Sequence, residues 1–359
     1  MSDVLEPRTP ADVADAVRSM PRLLAVGAGT KPRLSAVDAP RLKMTGLNGV
    51  LEYEPSEFTF TALAGTPVRN IAAILAERGQ YLPFDPMLVA AGATLGGTVA
   101  SGLSGPGRFR FGGLRDFILG VRFVDGGGRL LRLGGKVVKN SAGFDVPKFF
   151  VGSLGRFGVL TELTFKVFPR PASAVTLRLP VADLAKAVAM LPFASAMGWE
   201  PDALDLPPGD RCVYLRLAAP ESALSALASK ILACLPGEVL EADCAARRWA
   251  ELGEFRWVHP GGCLAKIVLT PSQVVPLDAA LRRLDDARLH VSAGGNVAFV
   301  SLPDSATTLL DVTLRDLGLR GVTLHGKGPL WLGVHDSPAI SLAVKQALDP
   351  QNRFPTLDD

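Results

Sequence analysis

The sequence predicts a mixed α+β protein of about two domains. Its 359 residues exceed what one domain of roughly 150 residues usually holds. Segments with helical periodicity alternate with short strand-like runs along the whole chain. The composition then changes at Pro169-Arg170-Pro171, after which glycine becomes less frequent. With 48% hydrophobic and 20% charged residues, the chain has the balance of a globular protein, which excludes intrinsic disorder and fibrous repeats.

Charge and cysteine usage exclude several classes of partner and cofactor. The formal net charge of +3 is too small to indicate nucleic-acid binding. The four cysteines show no C-x-x-C spacing, and the four histidines show no metal-ligand spacing. Residues 1–8 lack the apolar core of a signal peptide, and no run approaches the length of a membrane span. We expect no bound metal and a cytoplasmic protein that reaches a membrane only through partner subunits.

The first part of the chain reads as helices and strands in alternation. Thr9-Pro10 is an N-cap signal for a helix over residues 10–20, and the apolar run Leu23–Val26 predicts a buried strand that ends in a glycine turn. Thr66-Pro67 opens a second helix that Gly79 closes. Further strands are predicted over residues 58–62, 118–124, 129–133 and 159–167.

The second part reads as an α+β layer, with helices on one side of a mostly antiparallel sheet. It shows no sequence repeat. The predicted strands cover residues 175–179, 212–217 and 265–269, and the predicted helices cover residues 184–191, 222–235 and 277–284.

Two glycine-rich segments stand out as candidate ligand contacts. The first is Gly27-Ala28-Gly29-Thr30, directly after the predicted strand; the second, residues 92–107, holds six glycines in sixteen residues. The apolar residues within the second predict an ordered loop in contact with a ligand rather than a linker. Backbone N–H groups of both segments are expected to converge on a diphosphate, whose charge Lys31, Arg108 and Arg115 would balance.

Familiar nucleotide and hydrolase motifs do not fit. Pro32 stands where a dinucleotide-binding G-x-G-x-x-G turn needs its third glycine, and Gly135-Lys136 lacks the rest of a Walker A loop. A nucleophile elbow is absent as well. Any chemistry therefore requires a cofactor.

A resemblance to a known family supplies that cofactor. Four segments in order resemble the FAD-binding domain of the vanillyl-alcohol oxidase, or PCMH-type, class. Two later segments and Pro169-Arg170-Pro171 look most similar to the FAD-binding E subunit of bacterial glycolate oxidases (glycolate dehydrogenases). The six segments are Val26–Thr30, Pro83–Pro86, Ala93–Ala100, Gly113–Gly120, Lys139–Asp145 and Gly152–Glu162.

The resemblance implies an architecture and a set of FAD contacts. It implies a PCMH-type FAD-binding domain of two α/β subdomains over residues 1–171, an α+β cap domain with an antiparallel sheet over 172–337, and a segment, 338–359, that returns to the FAD domain. The implied cofactor-binding residues are Val26, Gly27, Ala28, Gly29, Thr30, Lys31, Pro86, Ala93, Thr94, Gly96, Gly97, Ala100, Ser101, Gly158, Val159 and Asn352.

Departures from the family shape the functional expectation. Covalent members attach flavin through a histidine in the first turn, where this chain has Thr30 and Lys31, so FAD is expected to be non-covalent. Stand-alone D-2-hydroxyacid dehydrogenases carry an H-x-G-D-G-N-x-H-like metal and substrate motif, of which residues 291–298 keep neither histidine nor aspartate. Phe144 also replaces a usual tyrosine.

The resemblance implies an FAD-binding subunit of a heteromeric complex that oxidises glycolate to glyoxylate. Its partners would be a second FAD-binding subunit and an iron–sulfur subunit, and it would be inactive alone. The alternatives are a stand-alone FAD-dependent D-2-hydroxyacid dehydrogenase and a non-catalytic assembly subunit. Catalytic residues are not identified; the remaining candidates are Lys139, Arg115, His290 and His325, for each of which a structural role is favoured over a catalytic one.

Overall fold

The computed structural model describes residues 5–135, 145–335 and 339–359. Its helices are α1 (Pro10–Ser19), α2 (Val68–Ala76), α3 (Leu95–Ser101), α4 (Arg108–Phe111), α5 (Leu184–Ala196), α6 (Glu221–Cys234), α7 (Ala242–Gly253), α8 (Pro271–Leu281), α9 (Thr307–Asp316) and α10 (Ala339–Leu348).

The strands alternate with these helices. They are β1 (Leu24–Val26), β2 (Arg41–Lys43), β3 (Val50–Glu54), β4 (Thr59–Leu63), β5 (Gln80–Tyr81), β6 (Ile118–Val124), β7 (Leu130–Gly134), β8 (Val159–Lys166), β9 (Phe168–Pro169), β10 (Ser173–Pro180), β11 (Ala203–Asp205), β12 (Cys212–Ala219), β13 (Glu238–Val239), β14 (Cys263–Val268), β15 (Arg288–Ser292), β16 (Val297–Leu302), β17 (Arg320–His325) and β18 (Trp331–Gly333).

The chain divides into two compact units. Unit 1 takes the described residues of 1–104, 113–170 and 336–359, and unit 2 takes 105–112 and 171–335. The short stretch 105–112, which includes α4, therefore groups with unit 2, although it lies within the sequence of unit 1. Nothing in its composition signals this assignment.

Unit 1 contains three sheets, of which the smallest is the antiparallel pair β5 and β9. A two-stranded parallel sheet pairs β1 with β2, and a five-stranded antiparallel sheet has the order β3-β4-β8-β6-β7. The central strand β8 is buried along most of its length on both faces, so it deviates from the simple alternation predicted for residues 159–167. The predicted α/β arrangement is found only in α1 and the short parallel pair of β1 and β2. The larger sheet is antiparallel throughout.

Local capping explains where the first helix begins. The Thr9 hydroxyl accepts a hydrogen bond from the Asp12 amide, and the Asp12 carboxylate accepts from the Thr9 amide, which is a capping box. The buried face of α1 then packs in one core cluster with Leu23, Leu42 and Phe354. The end of the sequence thus contributes to the core that supports β1.

The C-terminal segment is held to unit 1 by buried polar contacts. The Lys345 ammonium donates to the Asp349 carboxylate at 2.5 Å and to the Phe354 carbonyl at 3.0 Å. The Arg353 guanidinium donates to the carbonyl of Met20, just past α1, at 2.8 Å. These contacts satisfy two cations that would otherwise be costly to bury.

Unit 2 contains the same arrangement twice, although its sequence shows no repeat. Each half runs strand-helix-strand-strand-helix-strand, and the sheet orders β11-β12-β10-β13 and β15-β16-β14-β17-β18 correspond strand for strand, with β18 added at one edge. Neighbouring strands are antiparallel, as predicted. A single bridge between Leu206 and Val291 joins the two sheets.

Two helices of unit 2 differ from the sequence prediction. Helix α5 continues to Ala196, whereas the prediction ran from 184 to 191. Helix α8 begins at Pro271 and ends at Leu281, whereas the prediction ran from 277 to 284. Thr270 and Gln273 form a capping box ahead of Pro271, and the helix accommodates Pro276 in its interior. Because proline usually interrupts a helix, the interior Pro276 kept the first turns from being predicted as helical, although Thr270-Pro271 is itself a start signal.

Candidate cofactor site

The turn that follows β1 offers a row of unused backbone donors. Gly29 has φ of +71°, a conformation that glycine adopts without strain, and it lets the chain turn sharply before Pro32. No backbone N–H of residues 27–31 donates to any acceptor in the part of the chain that the structure describes. A row of free amides in one turn is a ready anion site, as predicted for this segment.

In the second glycine-rich segment, amides already donate to acceptors within the protein. It is not a loop: residues 95–101 form α3, and the Thr94 hydroxyl caps this helix by accepting from the Gly97 amide at 3.3 Å. The Leu95 amide donates to the Thr66 carbonyl at 2.9 Å and the Gly96 amide to the Ala64 carbonyl at 2.7 Å. The expectation that both segments present N–H groups is therefore wrong for the first turn of α3, because the amides of residues 95–97 already have acceptors.

Close packing is what the glycines of the second segment provide. A Cβ on Gly96 would lie 2.8 Å from the Ala64 Cβ, and a Cβ on Gly97 would lie 3.0 Å from the Thr94 hydroxyl oxygen. A Cβ on Gly27 would lie only 2.3 Å from the same hydroxyl. Thr94 thus joins the first turn to the start of α3, and only glycine fits at Gly27 without moving it.

Two adjoining clefts lie along this junction, and they share Ala25, Gly27, Thr94, Gly97 and Ala100. Twelve of the predicted residues line one or the other. They are Val26, Gly27, Ala28, Gly29, Thr30, Lys31, Thr94, Gly96, Gly97, Ala100, Ser101 and Gly158.

Four predicted residues do not line either cleft. Ala93 is buried, and its carbonyl accepts from the Val68 amide. Val159 is buried in the core cluster beneath β1, and Pro86 lies half-buried after the strained Asp85. Asn352 has φ of +53° in the C-terminal segment, where its amide donates to the Asp349 carbonyl. Each of these positions has a packing or turn role in the structure.

Sequence reasoning missed part of the lining. A signal existed for the four missed residues that lie in the glycine-containing run Gly152–Glu162, as Gly158 does. All the additional residues have small or apolar side chains that shape the walls. They are Ala25, Leu34, Ser35, Met44, Ala64, Ser153, Leu154, Gly155 and Leu160.

Lys31 is the predicted cation that lines the cleft. Burial lowers the pKa of Lys31 to about 8, and its ammonium donates to the Thr30 hydroxyl at 3.1 Å. No carboxylate pairs with it among the described residues. Arg115 is exposed, and neither Arg115 nor Arg108 lines the clefts, so of the three predicted cations only Lys31 does.

The candidate catalytic groups have structural surroundings. His290 is fully buried, and its Nε2 lies 2.8 Å from the Asp205 carboxylate, which also accepts from the Ala293 amide at 3.0 Å. The imidazole of His325 is exposed, with its Nδ1 3.3 Å from the Gly262 carbonyl. Lys139 and Phe144 lie outside the described residues.

The Asp205–His290 pair supports a turn in unit 2. Residues 293–295 form this turn, and Gly294 adopts φ of +64°, where a Cβ would lie 2.4 Å from the Phe109 ring. The turn falls within residues 291–298, the stretch compared above with a metal motif. In the described ranges, no group of three or more acidic, histidine or cysteine side chains is placed to hold a metal ion.

The sequence did not indicate that Lys266 and Arg108, two cations of unit 2, lie near each other. Lys266 lies in the middle of β14, and burial together with the nearby Arg108 lowers its pKa to about 8. Neither residue belongs to a recognisable motif, and their proximity depends on the grouping of 105–112 with unit 2.

The part of the chain that contains the glycine turn matches a family of FAD-binding domains. Residues 2–134 match the profile described as "FAD binding domain". Over 98% of its length, the chain also superimposes on alkyldihydroxyacetonephosphate synthase, with a TM-score of 0.72, 16% identity and 76% of that chain covered. The fold is therefore that of the PCMH-type FAD-binding class, and the predictions of fold and of FAD as cofactor are confirmed.

Two glycolate oxidase subunits are among the relatives that the sequence resembles. The chain is 47% identical to glycolate oxidase subunit GlcE of Escherichia coli over 134 residues, which are 37% of this chain and 38% of that protein. It is 31% identical to subunit GlcD of Bacillus subtilis over 131 residues, which are 36% of this chain and 28% of that protein. The predicted resemblance is confirmed, and the matches span less than two-fifths of the length of either relative.

The described helices include no candidate membrane span. None within the described ranges 5–135, 145–335 and 339–359 combines the length and the apolar character that crossing a bilayer requires.

Proposed function

We propose that this chain is the FAD-binding subunit of a glycolate oxidase complex. It binds FAD without a covalent bond in the cleft after β1 and acts together with a second FAD-binding subunit and an iron–sulfur subunit. The row of free amides at residues 27–31 carries the proposal, because a turn with unused N–H groups favours a bound anion such as the FAD diphosphate. The likeness to GlcE and GlcD supports the choice of complex.

Different residues of the cleft would have different roles in binding FAD. Residues 27–31 would donate N–H groups to the diphosphate, and the Lys31 ammonium would offset its charge. Gly96, Gly97 and Ala100 would let the cofactor approach the backbone of α3, since they present little side chain. FAD, when bound, supplies the electron acceptor for oxidation of a 2-hydroxy acid such as glycolate to the 2-oxo acid.

Absence of a histidine from the first turn supports non-covalent attachment. Residues 27–31 contain no imidazole, and the nearest side chains with heteroatoms are the Thr30 hydroxyl and the Lys31 ammonium. Neither matches the covalent linkage that the related family uses. Acid precipitation of the purified chain should therefore release FAD into the supernatant. Flavin retained in the pellet contradicts non-covalent binding, and a colourless chain that does not bind added FAD contradicts the cofactor assignment.

Substrate oxidation is proposed to need the complex. A 2-hydroxy acid requires a group that accepts the hydroxyl proton and cations that hold the carboxylate. Among the described candidates, His290 is enclosed by protein, and Arg115 is exposed outside the cleft lining. The subunit would act in the cytoplasm and reach a membrane, if at all, through its partners, with electrons passed on within the complex.

Dye reduction by the FAD-loaded chain tests the proposed division of labour. Glycolate-dependent turnover should be negligible for the chain alone and should appear when the two partner subunits are added. Turnover of the isolated chain on the order of 1 to 10³ per second, the usual range for enzymes, supports the stand-alone D-2-hydroxyacid dehydrogenase instead. If a complex containing this chain without flavin turns over normally, the chain is a non-catalytic assembly subunit.

A further inference from the structure

A strained turn forms one wall of the cofactor clefts. Ser153 and Gly155 line one of the two clefts, and Leu154 lines the other. Leu154 adopts φ of +51°, a left-handed conformation that costs free energy for any residue other than glycine. Such a conformation persists only where the surrounding contacts hold it, so the contacts of Leu154 determine the shape of this wall.

Both backbone groups of Leu154 are hydrogen-bonded. Its amide donates to the Ala100 carbonyl at 2.9 Å, which ties the turn to α3. Its carbonyl accepts from the Arg156 guanidinium at 2.6 Å. The first bond comes from a helix that itself lines the clefts, whereas the second comes from a side chain that lines neither of them.

Arg156 is in turn held by the C-terminal segment. The residue is only 2% exposed, and its guanidinium also donates to the Asp359 carbonyl oxygen at 2.7 Å. The backbone carbonyl of Arg156 accepts from the Lys345 ammonium at 2.9 Å. The Asp359 carboxylate accepts from the Arg22 guanidinium at 2.9 Å. Arg156 therefore links the C-terminal segment to the carbonyl of Leu154.

Packing alone does not explain a cation at this position. Desolvation by burial lowers the pKa of the Arg156 guanidinium to about 10. Asp359 opposes this shift, whereas Arg33 and Arg22 add to it. The Nε of Arg156 is buried and has no hydrogen-bond partner within the described ranges. An apolar side chain of similar volume often stabilises a fold at least as well as a buried charge, so the hydrogen bond to Leu154 is what sets arginine apart here.

We propose that Arg156 is a positioning residue for FAD. It holds Leu154 in the left-handed conformation that shapes the cleft wall, and the C-terminal segment anchors its guanidinium. Arg156 acts through Leu154 and does not touch the cofactor. The inference rests on the proposed FAD site and extends it to a buried side chain behind the wall, which no motif in the sequence indicates.

Titration of the full-length chain with FAD tests this role, on variants that circular dichroism shows to be folded. Arg156→Met leaves the Leu154 carbonyl without its donor, and FAD affinity should fall about tenfold. Arg156→Lys keeps a charged donor on a side chain of similar length and should recover most of the affinity. Arg129→Met is the control: it removes the guanidinium that pairs with the buried Asp125 in the same unit, outside both clefts, and should change FAD affinity by less than about twofold.

A double-variant cycle with Leu154→Gly separates positioning from general stabilisation. Glycine adopts a positive φ without strain, so position 154 no longer needs the guanidinium to hold its conformation. In the Leu154→Gly background, the loss caused by Arg156→Met should therefore shrink to about twofold or less. A purely structural role of Arg156 gives the same loss in both backgrounds, and that result overturns the proposal.

The outcomes distinguish this inference from the proposed cofactor site. Equally tight binding of FAD by wild type and Arg156→Met overturns the role of Arg156 alone, whereas a wild-type chain that binds no FAD overturns the cofactor site as well. Where Arg156→Met does not fold, Arg156→Gln takes its place in the cycle. The amide nitrogen of glutamine lies where the Nε of arginine does, short of the Leu154 carbonyl, so the same loss and the same relief by Leu154→Gly are expected.

Discussion

The two glycine-rich segments of unit 1 resemble each other in composition and differ in what their backbones do. Residues 27–31 leave their amides without acceptors, whereas the first turn of α3 donates to Thr66, Ala64 and Thr94. The first segment can bind an anion through its backbone, and the second can only shape the space beside it. Glycine content by itself therefore does not identify a candidate phosphate-binding turn. The deciding property is whether the backbone N–H groups lack acceptors within the protein.

Gly27→Ala should break the junction between the two segments and have the largest effect. The new Cβ would lie 2.3 Å from the Thr94 hydroxyl, so either the turn or the cap of α3 must move. We expect FAD affinity to fall by about 100-fold, a loss of roughly 2.7 kcal/mol. Isothermal titration with FAD measures it.

A double variant distinguishes steric displacement from general damage. Thr94→Ala removes the hydroxyl that Gly27→Ala would meet, so the pair should bind FAD more tightly than Gly27→Ala alone. Additive losses in this cycle would show that the two positions do not interact.

Gly97→Asp tests whether the second segment faces a negative ligand. Gly97 lines both clefts, and an aspartate would add a side chain and a negative charge there. FAD affinity should fall at least about tenfold, and Gly97→Asn, which has nearly the same size without charge, should lose distinctly less. Unchanged flavin occupancy in a folded Gly97→Asp variant would place the cofactor away from α3.

Lys31→Met should have a moderate effect that depends on pH. Burial holds the pKa of Lys31 at about 8 in the free chain, and a bound diphosphate would raise it. Binding then takes up a proton, so FAD affinity should fall as pH rises from about 8 towards 10, and in Lys31→Met this dependence should be lost. Parallel titrations of both proteins across this range measure it, and identical slopes would show that Lys31 does not face the diphosphate.

The same depressed pKa predicts a stability change without FAD. The unfolded chain keeps the ordinary lysine pKa of 10.5, so between about pH 8 and 10.5 the unfolded state binds more protons than the folded state. The contribution of Lys31 to folding stability should therefore rise with pH over that window. Urea denaturation of wild type and Lys31→Met at both ends of the window checks the sign.

Arg115→Ala should have the smallest effect. The guanidinium is exposed and outside the cleft lining, so FAD affinity should change by less than about twofold. A larger loss would indicate that Arg115 balances the charge of the diphosphate, as the sequence alone predicted.

The sequence by itself determined the local elements and the class of the protein. The Thr9-Pro10 cap, the short apolar strand before Gly27 and the ordered motifs through Gly158 are local signals, because capping, glycine turns and strand burial act over a few residues. They were enough to predict α1 and β1, and the resemblance of the ordered motifs to a known family implied an FAD-binding domain. Helix α8 was misplaced because its interior Pro276 is tolerated by packing that no local rule contains.

Only the tertiary structure decided which of these residues act together. Whether an amide is free depends on acceptors distant in sequence, such as the Ala64 carbonyl for Gly96 and the Thr66 carbonyl for Leu95. The repeat in unit 2 is likewise a property of strand pairing rather than of residue identity, since many apolar sequences fill the same core. Long-range hydrogen bonds therefore left the amides of residues 27–31 without acceptors and engaged those of residues 95–97, which is why the first turn is the proposed anion site.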